Sequence, residues 1–188
     1  MSEFFAALVA VSAAELGDKT QFLALLLAAR YANQRGAVIA GMLLGMIVMH
    51  GIASVIGYYL GDFLAADWLS YAVGALFILM GIAVLVPEKD EQVETNSKFF
   101  KLGAFLAAFL LLSVAEIGDK SQIVTMMLAA HYQSMFSVAA GAVVGMNLLL
   151  IPVIFFGAWI TNRIPMRAIR IFGCLVFVSL GVIAIFSA

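Results

Sequence analysis

The side chains best suited to chemistry in this chain sit in two matching heptapeptides. Glu15-Leu16-Gly17-Asp18-Lys19-Thr20-Gln21 recurs, at an offset of 101, as Glu116-Ile117-Gly118-Asp119-Lys120-Ser121-Gln122. Glu15 and Asp18 stand at i and i+3, so an intact helix projects both carboxylates from one face, with Gln21 on its shoulder. Lys19, four residues after Glu15, is in the favourable order for an intrahelical pair. Thr20 points away from that face on a regular helix and joins the site only where the helix unwinds, or where it reaches another partner. Gly17 and Gly118 permit such unwinding, and broken helices recur where transporters hold their substrates.

Fully ionised, the two Glu, two Asp and two Lys carry a net charge of −2, which one divalent cation neutralises. Neither motif contains Cys or His; the donors are carboxylate, amide and hydroxyl oxygens. Such hard ligands suit Mg²⁺, Ca²⁺ or Mn²⁺ rather than Cu⁺ or Zn²⁺. An ion between facing motifs could take the carboxylates of Glu15, Asp18, Glu116 and Asp119 and the carbonyls of Gln21 and Gln122, an octahedral-type shell. The alternative is a lock between two helices, with Glu15 against Lys120 and Glu116 against Lys19. Buried pairs of that kind add little net stability, and apolar packing would serve as well. The lysines are expected to hold unliganded carboxylates apart.

The elements that must position these motifs follow from composition. Of 188 residues, 65% are hydrophobic and only 11% charged, far from the balance of a soluble domain. Apolar runs at 4–29, 36–60, 68–86, 102–130, 136–160 and 168–187 are each near or above the ~20 residues that span a bilayer. Phe22-Leu23-Ala24-Leu25-Leu26-Leu27 lacks the in–out alternation of outer-membrane strands. The expected fold is therefore an all-α integral membrane protein with six transmembrane helices and no large domain outside the membrane. A net charge of −1 argues against nucleic acid as a partner, and Cys174 alone builds neither a disulfide framework nor a thiolate cluster. The start, Met1-Ser2-Glu3-Phe4-Phe5, has no basic region, so no cleaved signal peptide is expected.

The repetition extends beyond the motifs. Leu27-Ala28-Ala29 matches Leu128-Ala129-Ala130 at the same offset; after a one-residue deletion, Gly45-Met46 matches Gly145-Met146, Gly57 matches Gly157 and Gly81 matches Gly181. Residues 1–86 and 102–188 thus read as two three-helix units joined by a solvated polar linker, 87–101, with Pro87 ending the third helix. Three is odd, so the second unit enters from the opposite side and the repeats are inverted. Outside the motifs, Arg30, Arg35, Lys89, Lys98, Lys101, Arg163, Arg167 and Arg170 fall on one side; Glu3, Asp62, Asp67 and His131 fall on the other. By the positive-inside rule the basic loops are cytoplasmic and both termini outside.

Both motifs then lie near the bilayer midplane, where each charge costs ~2.5–3.5 kcal/mol and ionisable groups are functional by default. Gly41-x-x-x-Gly45, Gly57-x-x-x-Gly61 and Gly141-x-x-x-Gly145 read as helix-packing positions. His50 is a candidate proton carrier, although its repeat counterpart is Leu150. His131 is expected at a solvated helix end, and Asn147 hydrogen-bonding across helices or lining a path. A thioether from Met46 or Met146 would favour Mn²⁺ over Ca²⁺ if it reached the ion.

With its doubled Glu-x-Gly-Asp-Lys-(Thr or Ser) motif, two three-helix halves and polar linker, the whole chain resembles a family of cation/proton exchangers. That family includes a Golgi protein linked to human glycosylation, its yeast relative and the bacterial MneA-type manganese exporters. The resemblance implies that Glu15, Asp18, Glu116 and Asp119 are the cation-binding acids and that Thr20 and Ser121 are the hydroxyls of the same site. It also implies a bacterial cytoplasmic-membrane protein that exports Mn²⁺, with Ca²⁺ as a further substrate, in exchange for protons. Lipid, the divalent cation and the proton are its expected partners, and no resident cofactor is expected. Two rival readings are an intramembrane aspartyl protease, in which Asp18 and Asp119 would share a proton, and an exporter of small cationic amino acids. In the first, Lys19 and Lys120 beside the aspartates favour ionised carboxylates and spoil the dyad. A passive channel is disfavoured by four acids at one midplane site, which would hold an ion too tightly for rapid flow.

Overall fold

Apolar sequence without Gly–charge interruptions makes long helices here, and the two charged motifs break them. The computed structural model describes residues 1–61, 66–86, 98–163 and 166–186. These residues form α1 (Ser2–Glu15), α2 (Lys19–Arg30), α3 (Arg35–Gly61), α4 (Ala66–Val84), α5 (Ala104–Glu116), α6 (Lys120–Tyr132), α7 (Met135–Arg163) and α8 (Met166–Phe186). Short 3-10 turns at Ala32–Gln34 and Lys98–Leu102 complete them, and there is no strand among the described residues. The expected all-helical class holds. The runs at 4–29 and 102–130, read as single helices, are each two helices meeting at the motif. Of the linker 87–101, residues 87–97 lie outside the described residues, as do Asp62 and Lys89.

The stretches Ala32–Gly61 and Met135–Phe156, with mean hydropathies of 2.1 and 2.3, are long and apolar enough to cross a membrane. Trp68–Val84, Ala104–Glu116 and Arg170–Phe186 are shorter apolar helices. The distribution of side-chain size carries the membrane character further. Small residues fill the interior (Ala7, Ala10, Ala107, Ala108 and Ala129 are fully buried), while Ile47, Leu79, Leu148, Phe156 and Leu175 face outward. Water would drive those large side chains inward; among lipid chains, close backbone approach between small residues holds helices together instead.

Glycines mark these approaches, and they match in pairs. A Cβ on Gly41 of α3 would strike the Phe105 carbonyl of α5 and touch Ala108; a Cβ on Gly141 of α7 would strike the Phe4 carbonyl of α1 and touch Ala7. Gly45 lies against Leu112 and Ser113, and Gly145 against Leu8 and Ser12, whose hydroxyl donates to the Gly145 carbonyl at 3.0 Å. α3 thus packs on α5 as α7 packs on α1, and α3 also packs on α6 and α7.

α4 and α8 form a separate pair. A Cβ on Gly74 would meet the Gly181 carbonyl and one on Gly181 the Gly74 carbonyl, while the Phe77 and Phe177 rings meet edge-on with centroids 5.9 Å apart. This pair touches the other helices through α8 on α1 and α4 on α6. The corresponding faces, α4 towards α5 and α8 towards α2, are not packed to a comparable extent among the described residues. Among the described residues the pair is thus attached to the bundle mainly through α1 and α6.

Because Gly41 and Gly141 sit against backbone that cannot yield, Gly41→Val and Gly141→Val should each destabilise the protein by ~1–3 kcal/mol through overpacking. Gly36→Ala, where nothing lies within 4 Å, should not. Thermal unfolding in detergent separates the three.

Candidate functional site

Each motif is a tight turn between two half-helices. Leu16 (φ −62°, ψ 113°) and Ile117 (φ −59°, ψ 115°) are followed by Gly17 and Gly118 at φ of 76° and 72°. The Asp18 N–H donates to the Glu15 carbonyl at 3.2 Å and the Asp119 N–H to the Glu116 carbonyl at 3.0 Å. These are type II turns, whose third position requires positive φ and so favours glycine. The aspartates then cap the following helices. Asp18 Oδ1 accepts from the Lys19 N–H at 2.7 Å and Asp119 Oδ2 from the Ser121 N–H at 3.2 Å. The glutamines brace the same turns. Gln21 Nε2 donates to the Glu15 carbonyl at 3.1 Å, and Gln122 Oε1 accepts from the Gly118 N–H at 3.1 Å.

Unwinding brings the hydroxyls in. Thr20 is fully buried and donates to Glu15 Oε2 at 2.5 Å. Ser121 Oγ lies 3.2 Å from Glu116 Oε2 and 3.3 Å from Asp119 Oδ2, one hydroxyl between two carboxylates. Glu15, Asp18 and Glu116 are fully buried, and Asp119 is 7% exposed. One carboxylate oxygen from each of Glu15, Asp18 and Asp119 lies within 4.8 Å of the other two. A cation with oxygen ligands at about 2.3–2.6 Å reaches across such a gap, since opposite ligands then stand about 4.6–5.2 Å apart. Glu15 Oε1 and Glu116 Oε1 are buried without a hydrogen-bond partner among the described residues, which leaves acceptor capacity for a ligand.

The lysines cross between motifs. Lys19 Nζ stands 3.2 Å from Asp119 Oδ1, and Lys120 Nζ stands 3.4 Å from Asp18 Oδ2. The ion pairs therefore join the lysine of one repeat to the aspartate of the other, where the spacing pointed to glutamates.

Around the cluster, His50 is fully buried with Nδ1 2.9 Å from Thr125 Oγ1, and Thr125 in turn donates to the Ser121 carbonyl at 2.9 Å. Asn147 Nδ2 donates to the Val143 carbonyl at 2.7 Å and lies 3.1 Å from the sulfur of Met46, which like Met146 is fully buried. His131 is partly buried, its ring against Tyr132. Sequence reasoning missed Thr125. Its signal was present: it stands one helical turn beyond Ser121, and Ala24 occupies the corresponding place in the first repeat.

Two cavities flank the α4–α8 pair. One, of about 240 Å³, runs from Val86 and Arg170 at the basic end to Gly17 and Lys120 at the turns. The other, of about 330 Å³, lies at the opposite end among Val73, Phe77, Leu128, Leu180 and Ile183; its lining includes none of the motif residues.

Comparison with known proteins adds to this geometry. Residues 3–92 and 104–188 match the family described as divalent cation/proton antiporter GDT1. The chain belongs to the GDT1 family. A Vibrio cholerae relative named "Putative manganese exporter" is 36% identical over 174 residues, covering 90% of this chain and 84% of that protein. A GDT1-like protein of Synechocystis is 30% identical over 203 residues, covering 98% and 97% of the two chains. GDT1-like protein 3 of Oryza sativa subsp. indica is 26% identical, covering 97% and 73%. No solved structure matches. Glu15, Asp18 and Asp119 from the doubled motif of this GDT1 chain form one buried cluster, and the family is one of divalent cation/proton antiporters.

Removing the hydroxyl that satisfies a buried carboxylate should cost ~1–3 kcal/mol. Thr20→Val is therefore expected to lower thermal stability and to weaken stabilisation by added Mn²⁺. Thr20→Ser, which copies the hydroxyl of Ser121, should keep both; thermal unfolding with and without Mn²⁺ measures the difference.

Proposed function

We propose that this chain exports divalent cations, Mn²⁺ foremost and Ca²⁺ as a second substrate, across the bacterial cytoplasmic membrane in exchange for protons. The observation that carries the reading is the buried meeting of Glu15, Asp18 and Asp119 from two half-helix breaks, each aspartate already balanced by a lysine from the other repeat. Glu116 completes the acid set through Ser121, and Thr20 holds Glu15. In this reading the four carboxylates with Thr20 and Ser121 take the ion, and Gln21 and Gln122 join it only by leaving the turns that they brace. A divalent ion replaces the two ammonium groups as counter-charge, and protons compete with it for the same carboxylates.

The membrane arrangement belongs to the same proposal. Half-helices of 14 and 12 residues in the first repeat and 13 and 13 in the second, stacked end to end, give about 39 Å at about 1.5 Å per residue, enough to cross. With α3, α4, α7 and α8 they make six spans in two inverted repeats, 1–86 and 102–188, with a cytoplasmic linker at 87–101 and both termini outside. The cavity that reaches Gly17 and Lys120 then faces the cytoplasm, and the α4–α8 pair, tied to the bundle on its outer side only, is the element that rocks to reverse access. An aspartyl protease is the weaker reading, because lysines at 3.2 and 3.4 Å favour ionised aspartates over a shared proton.

In proteoliposomes with an imposed pH gradient, Mn²⁺ should move against protons and Ca²⁺ should compete with it. Glu15→Gln or Asp119→Asn is expected to abolish metal-dependent proton movement; unchanged transport in either variant would sink the assignment. Access is tested separately in a Cys174→Ala background. Met80→Cys in the inner cavity and Leu180→Cys at its repeat equivalent should change in opposite directions when an impermeant thiol reagent is applied with and without Mn²⁺. Parallel changes would exclude the rocking pair.

A further inference from the structure

We propose that the cleft of about 240 Å³ beside the α4–α8 pair binds a phosphate group, seated on Arg170 at its mouth with Lys120 at its inner end. A phospholipid headgroup and free phosphate share that chemistry. Arg170 stands about one turn into α8, which begins at Met166, and is half-buried. Leu16, Met80, Val84 and Val86 give the cleft apolar walls; Lys120 and Arg170 are the only charged groups lining it among the described residues. Two other arginines find aromatic partners, Arg30 over the Phe100 ring at 4.5 Å and Arg35 over the Phe155 ring at 5.8 Å. Arg170 has no such ring, nor an ion pair or hydrogen bond, among the described residues. A guanidinium partly withdrawn from water without a counter-charge is costly, and its planar fork matches the oxygens of a phosphate. Lys120, paired with Asp18 at 3.4 Å, adds a second positive group further in.

The other end of the α4–α8 pair shows that packing does not demand this charge. The cavity of about 330 Å³ there is lined by no Lys, Arg, Asp or Glu among the described residues. The repeat counterpart of Arg170 is Ser70, which is buried in α4. Two like helices therefore leave a cleft at each end, and only one of the two clefts carries cations. That cleft opens at the basic end of the molecule, where basic pockets between spanning helices meet the phosphates of anionic lipid.

What the bound group does for transport rests on the antiport reading above, in which this cleft is the way in from the cytoplasm. An ion bound for Glu15, Asp18 and Asp119 then passes Arg170 first. An uncancelled guanidinium at the mouth repels a divalent cation. A phosphate seated on Arg170 cancels that charge and turns the mouth from a barrier into a point of attraction, raising the local concentration of the ion. The anion is thus a partner of cation entry, bound outside the carboxylate cluster.

Binding is tested without metal, by thermal unfolding of the purified protein in detergent at constant ionic strength. The probes are chloride, inorganic phosphate, short-chain phosphatidylglycerol and short-chain phosphatidylcholine. Phosphatidylglycerol or phosphate should raise the unfolding temperature saturably, and chloride and phosphatidylcholine should not. A rise with the lipid alone assigns the site to a headgroup; a rise with inorganic phosphate assigns it to the free anion. Arg170→Ser, which copies Ser70, and Arg170→Gln should each weaken the apparent affinity about tenfold or more, and Arg170→Lys, which keeps the charge, should weaken it less. No response to either anion, as when a carboxylate of this chain already holds Arg170, overturns the proposal; so does an unaltered affinity in the Ser and Gln variants. In proteoliposomes the anion that binds should speed Mn²⁺ flux through the wild-type protein, and flux through Arg170→Ser should not depend on it. Equal dependence in both overturns the role in entry. Protein that binds the anion and moves no Mn²⁺ overturns the transporter reading and leaves the anion site standing, whereas Mn²⁺ transport without anion binding overturns this inference alone.

Discussion

Carboxylates buried inside an apolar bundle set the terms for the rest of the molecule. They cannot be left to lipid, and the two motifs answer this by exchanging counter-charges, Lys19 to Asp119 and Lys120 to Asp18. That exchange requires the breaks in the two half-helix pairs to meet face to face, which in turn requires α3 and α7 to pack tightly behind them. Gly41, Gly45, Gly141 and Gly145 supply that packing by admitting the backbones of α5 and α1. Attraction between lysine and aspartate here offsets desolvation more than it adds stability. What the pairs do in the structure is tie the aspartate of each motif to the lysine of the other.

The turns follow the same logic. A continuous helix would carry Thr20 and Ser121 away from the acids. Two residues of extended and left-handed backbone, ending on a capping aspartate, rotate them inward so that each hydroxyl meets a buried glutamate. The break also turns the negative ends of α1 and α5 and the positive ends of α2 and α6 towards the same small volume. Both kinds of partial charge become available to an arriving ion and to the acids that hold it.

Much of this was legible in the residues. The doubled motif located the site, the glycines within it announced the break, and the matching glycines beyond it marked where helices approach. The partners of the lysines were not legible, because i to i+4 spacing describes one helix and the decisive neighbours belong to another. The glutamines read as ligands because their residue type permits it; the structure ties them to Glu15 and Gly118 because a turn leaves backbone groups to satisfy. Thr125 escaped notice because a threonine in an apolar helix is unremarkable until a histidine from α3 is placed beside it. The one-sided attachment of the α4–α8 pair has no trace in a sequence whose halves match, since it is a difference in packing between like elements.

The crossed ion pairs also bear on how the protein is made. Asp18 and Lys19 precede Asp119 and Lys120 by 101 positions, so in a chain made from its N-terminal side the first motif is made well before its counter-charges. The closing of the site and the completion of assembly are thus one event. The site is complete only with both repeats present, since each supplies the ammonium group that stands beside the other's aspartate.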